Sequence, residues 1–248
     1  MTSSDALLEL FADVGRAVRD AVGGIDVADL RNRTDRDGQY ALDLVADRAA
    51  CALLQDSRVR IVSEESGVHE VPGAAITVVI DPVDGSTNCS RRIPYWATSI
   101  CALDESGALA GLVVNQVTGV CVTAVRGGGA FRDGVRLRAS NVEQVEESMV
   151  YLTGTPATLL AWKQFRSLGS AALGLCEVAA GTLDGFLDAG GYHAPWDYLA
   201  GYLACVEAGA VVRDARGREI VTDDVDARRQ LVAAGTPQLA EALVAGLS

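Results

Sequence analysis

The sequence predicts a mixed α/β protein of two tightly joined lobes, with a largely antiparallel sheet in the first. Three observations carry this. The chain has 248 residues, of which 49% are hydrophobic, enough to bury a large core. Apolar spacing switches between helical and strand-like periods without the regular rhythm of repeated parallel units. Glycine and aspartate turns separate the strand-like pieces in the middle of the chain. No repeat, low-complexity stretch or long linker interrupts it. Residues 1–138 (helices and antiparallel sheet) and 139–248 (an α/β lobe) are therefore expected to pack as one unit.

Taken in order, residues 5–25 read as an amphipathic helix with Leu7, Leu8, Phe11, Val14, Val18 and Val22 near one face. Residues 31–38 form a polar, charged, glycine-ended loop. Residues 41–54 read as a second helix, with Asp43 and Asp47 sharing a face. Residues 58–63 and 75–80 read as buried strands that end in acids. Strand-like pieces follow at 97–103, 108–114, 119–125 and 130–131, and residues 150–153 begin a second sheet. Residues 171–180 and 196–208 read as helices, and 184–188 and 210–213 as strands. Pro237 opens a terminal helix, where its missing N–H costs nothing.

The formal charge of -12, from 33 acids against 21 bases, argues against a large basic surface for nucleic acid. Met1-Thr2-Ser3-Ser4-Asp5 lacks a basic stretch followed by an apolar core, so no secretory leader is expected. The apolar runs are too short to cross a bilayer. The 6 cysteines have neither metal-ligand nor redox spacing and read as buried thiols of a cytoplasmic protein.

The chemistry concentrates in Asp81-Pro82-Val83-Asp84-Gly85-Ser86-Thr87-Asn88, with Glu64-Glu65 before it and Trp196-Asp197 after it. Hard divalent cations take carboxylate and carbonyl oxygens. Glu64 and Asp81 each follow a strand, so their carboxylates can converge while the strands stay packed. Asp81 and Asp84 flank a proline turn and could bracket two ions about 3.5–4 Å apart. The Val83 carbonyl lies between them. Gly85, Ser86 and Thr87 open a helix whose free N–H groups suit a phosphate. Asp197 reads equally well as a helix cap or as a ligand. His193 reads as a loop histidine or a substrate contact, and Arg91 and Arg92 as exposed bases or phosphate attractors.

In this combination the chain resembles the inositol monophosphatase family. The resemblance rests on Asp81 to Asn88, on Ser63-Glu64-Glu65-Ser66, and on Trp196-Asp197-Tyr198-Leu199-Ala200-Gly201 with Glu207-Ala208-Gly209 after it. Residues 169–186 add to it, and it spans about residues 8–245. It implies a layered α-β-α-β-α sandwich of the inositol monophosphatase and fructose bisphosphatase type, assembled as a homodimer. It also implies Mg2+-dependent hydrolysis of a small phosphorylated metabolite by direct attack of water, with inhibition by lithium. Glu64, Asp81 and the Val83 carbonyl would hold the first Mg2+, and Asp81, Asp84 and Asp197 the second. Glu65 would support a weaker third ion or its waters. Ser86 would orient the attacking water with Asp47 as its partner, while Gly85, Ser86 and Thr87 hold the phosphate.

The sequence departs from the family in two places. Asp43-Leu44-Val45-Ala46-Asp47 is compressed and lacks the family's threonine, which leaves Asp43 as the alternative to Asp47; Arg36 stands near a loop position that often carries lysine. Asp188 stands where the family uses glutamate to hold sugar hydroxyls, before a longer link through residues 189–195; His193 in that link is the other substrate candidate. Inositol 1-phosphate is the leading substrate. Histidinol phosphate, fructose 1,6-bisphosphate, glycerol phosphate and adenosine 3',5'-bisphosphate share the chemistry. A metal-binding structural homodimer without turnover is the non-enzymatic alternative.

Overall fold

The computed structural model describes residues 3–247; Met1, Thr2 and Ser248, and with them the start of the segment expected to lack a leader, lie outside the described residues. Helix α1 (Ser4–Gly23) begins where the Ser3 hydroxyl accepts the Ala6 N–H at 3.2 Å. It buries Leu7, Phe11, Val14, Val18 and Val22, a stripe at helical spacing. Helix α2 (Ala41–Gln55) packs beside it and buries Leu42, Ala46, Ala50 and Leu54.

Eight strands then form the first sheet: β1 (Arg60–Ser63), β2 (Gly67–His69), β3 (Thr77–Asp84), β4 (Ala97–Asp104), β5 (Gly107–Asn115), β6 (Cys121–Val125), β7 (Gly129–Arg132) and β8 (Val135–Arg136). Their order is β2-β1-β3-β4-β5-β6-β7-β8, with helix α3 (Ser86–Arg91) between β3 and β4 in the chain. Every neighbouring pair is antiparallel except β1 with β3. The second sheet has the order β10-β9-β11-β13-β12. It comprises β9 (Met149–Thr153), β10 (Gln164–Arg166), β11 (Gly185–Asp188), β12 (Val211–Asp214) and β13 (Leu231–Ala234). Its helices are α4 (Ala171–Ala179), α5 (Pro195–Glu207) and α6 (Pro237–Ala245). Strands β2, β8 and β10 have no counterpart in the sequence reading: they span two or three residues and bury none of them, so no apolar alternation marks them.

The core divides into layers. Val78, Ile80, Ile100, Ala102 and Leu112 face α1 and α2 from one side of the first sheet. Val79, Cys101, Val113 and Val122 face α4 and α5 from the other. Tyr151, Phe186 and Ala233 of the second sheet press on the same two helices, and its far face packs Val150, Leu187 and Val232 on Leu239 and Leu243 of α6. The result is the expected α-β-α-β-α sandwich, with α4 and α5 in the middle. A Cβ on Gly201 of α5 would lie 2.6 Å from Leu175 of α4, so glycine is what lets these two helices close together. Glu207 ends α5 by accepting the N–H groups of Gly127 (2.7 Å) and Gly129 (2.8 Å), which ties the Glu-Ala-Gly motif to the β6–β7 turn.

All 6 cysteines are free. Among the described residues no helix is long and apolar enough to cross a membrane.

Candidate metal centre and active site

Two ladder registers and one cross-layer hydrogen bond bring the acids together. Ser63 of β1 pairs with Ile80 of β3 in parallel, so the next residues, Glu64 and Asp81, leave the ladder side by side. Asp81 pairs with Ser99 of β4, whose hydroxyl donates to the Trp196 carbonyl in the first turn of α5 at 3.1 Å. That contact sets Asp197 against the same strand end. Glu64, Asp81 and Asp197 each offer an oxygen within 4.8 Å of the others.

Between Asp81 and Asp84 the β3–β4 register shifts, and Pro82, which has no N–H to give, sits in the shift. Asp81 Oδ1 accepts the Val83 N–H at 2.8 Å, which leaves its second oxygen for the cleft. The turn is braced from behind. Arg19 Nε donates to Gln116 Oε1 (2.9 Å), Gln116 Nε2 to Thr98 Oγ1 (2.7 Å), and Thr98 Oγ1 to the Pro82 carbonyl (2.8 Å). Gly85 has φ 98°, and a Cβ there would lie 2.9 Å from the Gly169 carbonyl, so only glycine fits.

Asp84 reaches across to the start of α4. Its Oδ2 accepts the Ser170 hydroxyl at 2.5 Å and the Ala172 N–H at 2.7 Å, at the start of α4. Asp197 both caps its helix and faces the cleft: its Oδ2 accepts the Ala194 N–H at 2.7 Å and has His193 Nδ1 at 3.4 Å. The helix-cap reading of Asp197 is met through Oδ2, and the cap leaves Oδ1 uncommitted.

The expected pairing of Asp47 with Ser86 is not made. Asp47 Oδ1 accepts the Ser63 hydroxyl at 2.5 Å and the Cys51 thiol at 3.5 Å, which steadies the end of β1 just before Glu64. Asp43, one helical turn earlier, is the acid whose carboxyl feels the Ser86 hydroxyl, which draws its pKa down against the larger upward pull of burial. Its Oδ2 accepts the Tyr40 N–H at 2.8 Å, and its Oδ1 is buried without a partner. The Ser86 hydroxyl itself donates to the Val83 carbonyl at 3.0 Å. Tyr40 Oη stands 3.5 Å from Thr87 Oγ1. Arg36 Nη1 lies 3.2 Å from the Glu64 carbonyl and 3.4 Å from Glu65 Oε2, which also accepts from Gln39.

Asp188 differs from its expected role as a hydroxyl acceptor. It is 2% exposed, and its Oδ1 accepts Gly190 N–H (2.8 Å), Gly191 N–H (3.1 Å) and Thr153 Oγ1 (3.0 Å). The carboxylate is consumed by its own loop, and the signal was present: aspartate followed by Ala-Gly-Gly marks a loop folded back onto the acid. Sequence reasoning also passed over Asn88. Its side-chain amide donates to the carbonyls of Tyr95 and Leu168, both at 2.7 Å, and so ties α3 to the loop before α4.

The electrostatics match a place for cations. Burial first, then the neighbouring carboxylates, raise Glu64 and Asp81 well above the ordinary range. Burial and the Asp197 carboxylate push Asp84 up to about 6. Burial raises Asp43 and Glu65 as well. Burial draws His193 toward its neutral form, but Asp197, Asp188 and Asp84 outweigh it, so its pKa lies above the usual value. Crowded, dehydrated carboxylates with an oxygen-only donor set fit a hard divalent ion such as Mg2+, whose charge removes the repulsion.

Comparison with known proteins agrees with this geometry. The inositol monophosphatase family matches residues 3–248. The chain is similar to the fructose-1,6-bisphosphatase/inositol-1-monophosphatase of Methanothermobacter thermautotrophicus, with 32% identity covering 93% of this chain and 91% of that one. It is similar to the Nus factor SuhB of Escherichia coli K12, with 33% identity covering 81% and 80%. In fold it matches a Pyrococcus horikoshii protein described as similar to inositol-1 monophosphatase, with TM-score 0.85, 24% identity, and 98% and 97% of the two chains covered. The chain belongs to the inositol monophosphatase family.

Proposed function

We propose that this protein is a Mg2+-dependent phosphomonoesterase acting on a small sugar or polyol phosphate such as inositol 1-phosphate. The observation that carries the reading is the convergence of Glu64, Asp81 and Asp197 within 4.8 Å, beside the start of α3. Family membership supports phosphatase chemistry, and the donor set supports the ion.

Glu64, Asp81 and the Val83 carbonyl would hold one Mg2+; Asp81, Asp84 and Asp197 would hold a second; and Glu65 would support a weaker third. When bound, the ions neutralise phosphoryl charge and lower the pKa of coordinated water. The remaining work falls to the chain. The first N–H groups of a helix have no intrahelical acceptor, so those of Gly85, Ser86 and Thr87 are available to phosphate oxygens. A hydroxyl proton aimed at the Val83 carbonyl opposes a cation there, whereas the unpartnered Oδ1 of Asp43 offers that proton a better acceptor. We therefore assign Asp43 and Ser86 as the pair that orients the attacking water, with Asp47 supporting the β1 end. Arg36 and Glu65 border the cleft.

The same reading takes residues 1–138 and 139–248 as lobes of one catalytic unit, supported by the α4–α5 layer that both sheets share; that the unit is cytoplasmic and dimeric rests on the family resemblance alone. A second reading is a metal-binding structural homodimer without turnover; relatives named Nus factor SuhB give that fold a role as a factor.

Phosphate release from inositol 1-phosphate, fructose 1,6-bisphosphate, glycerol phosphate, histidinol phosphate and adenosine 3',5'-bisphosphate, with Mg2+ or with EDTA, tests the proposal. Release that depends on Mg2+ supports it and ranks the substrates. Metal binding with no release from any of them would sink it in favour of the second reading.

A further inference from the structure

His193 makes a contact at every side of its ring. Nδ1 faces Asp197 Oδ2 at 3.4 Å, an ion-pair distance. Nε2 lies 3.1 Å from Thr153 Oγ1, which in turn is 3.0 Å from Asp188 Oδ1; Nε2 is also 3.9 Å from Asp188 Oδ2. One face of the ring meets Phe186 with centroids 6.0 Å apart, and Phe186 is itself stacked on Tyr151 at 5.3 Å. The backbone is held too, since the His193 carbonyl accepts the Arg229 N–H at 2.8 Å.

Every partner is fixed by something else. Asp188 is buried and locked by the Gly190 and Gly191 N–H groups, while Thr153 and Asp188 sit on adjacent parallel strands in register. A side chain gripped this way has little freedom to adapt to a bound substrate. It can, however, fix the rotation of the carboxylate it touches. Asp197 Oδ2 is occupied by the Ala194 N–H and by His193, so Oδ1 is the oxygen left for an ion.

We propose that Asp188, Thr153 and His193 form a relay that positions Asp197 and thereby sets the affinity of the ion Asp197 holds, and that Asp188 and His193 do not bind substrate hydroxyls. The inference rests on the metal-dependent reading above. A hydrogen-bonded group behind a metal ligand typically contributes about 10–100-fold to metal affinity. His193 is thus a positioning residue, and Asp188 anchors it from inside the second sheet.

The test measures Mn2+ binding by electron paramagnetic resonance on the full chain without substrate, beside kcat and KM for the best phosphate ester. His193→Ala removes the ring that faces Asp197 and is expected to weaken Mn2+ binding about 10–100-fold, with kcat falling at fixed low Mg2+ and recovering at high Mg2+. His193→Asn places an amide N–H near the Nδ1 position and is expected to restore most of the affinity. His193→Gln, whose amide mimics Nε2, restores less. Thr153→Val, which leaves the ring in place, is expected to give a smaller loss, and thermal denaturation in EDTA checks that each variant is folded. Unchanged Mn2+ affinity in folded His193→Ala, or a rise in KM alone for polyol phosphates, overturns the relay and returns these residues to substrate binding. Failure of the unaltered protein to bind Mn2+ overturns the metal-dependent reading itself.

Discussion

Replacing Asp84 by asparagine should make the metal-free protein more stable while destroying its phosphatase activity. Asp84 is 8% exposed, and burial together with the Asp197 carboxylate raises its pKa from 3.8 to about 6. Below about pH 4 the side chain is protonated in both folded and unfolded chains and contributes nothing. Between about pH 4 and 6 the unfolded chain releases the proton first, so the folded state binds more protons and stability falls as pH rises. Above about pH 6 the full penalty applies, and the gap corresponds to about 3 kcal/mol. Asparagine cannot ionise, and its one carbonyl oxygen serves only one of Ser170 and Ala172 well, at a cost of about 1 kcal/mol. The net gain near pH 8 is about 2 kcal/mol, or a Tm higher by about 4–8 °C for a chain of this size. Thermal denaturation followed by circular dichroism in EDTA, from pH 4.5 to 8, reads it directly. With Mg2+ present the order should invert, because only the unaltered chain gains the full stabilisation of bound ions. A variant no more stable than the original at pH 8, or a gain of equal size at pH 4.5, would refute the electrostatic account.

Three further outcomes follow from the same contacts. Asp43→Asn and Ser86→Ala should each lower kcat by about 10²–10⁴-fold, the range for positioned proton-handling groups, while Asp47→Asn mainly lowers Tm through its lost grip on Ser63; steady-state kinetics beside melting curves separate the two acids. Gly85→Ala forces a side chain onto a backbone at φ 98° and against the Gly169 carbonyl, which should cost about 1–3 kcal/mol in denaturant unfolding and abolish phosphate release together. Asn88→Ala leaves the Tyr95 and Leu168 carbonyls without their donor, at about 1–3 kcal/mol for each left buried, and should lower Tm markedly while leaving Mn2+ binding nearly intact.

The helices and turns can be read along the chain, while the layers and the phosphatase chemistry came through the family resemblance. Apolar spacing marked α1, because a buried stripe must repeat with the helix. Asp81 to Asn88 announced an oxygen-rich turn followed by a helix start, because proline, glycine and small polar residues each restrict the backbone in a known way. Short edge strands such as β10 were silent, since nothing in them is buried.

Which side chain meets which depends on how the layers pack. Asp43 and Asp47 lie on one face of one helix, and no local rule distinguishes them; the tertiary packing puts Asp47 at Ser63 and leaves Asp43 Oδ1 without a partner. Asp188 looked like a substrate carboxylate until its loop was seen folded over it, and His193 gained its place from Thr153 and Asp197, which lie 40 residues before it and 4 after it. Backbone preferences are local and can be read along the chain. A hydrogen-bond network joins residues distant in sequence, and its partners exist only once the sheets and helices have closed around them.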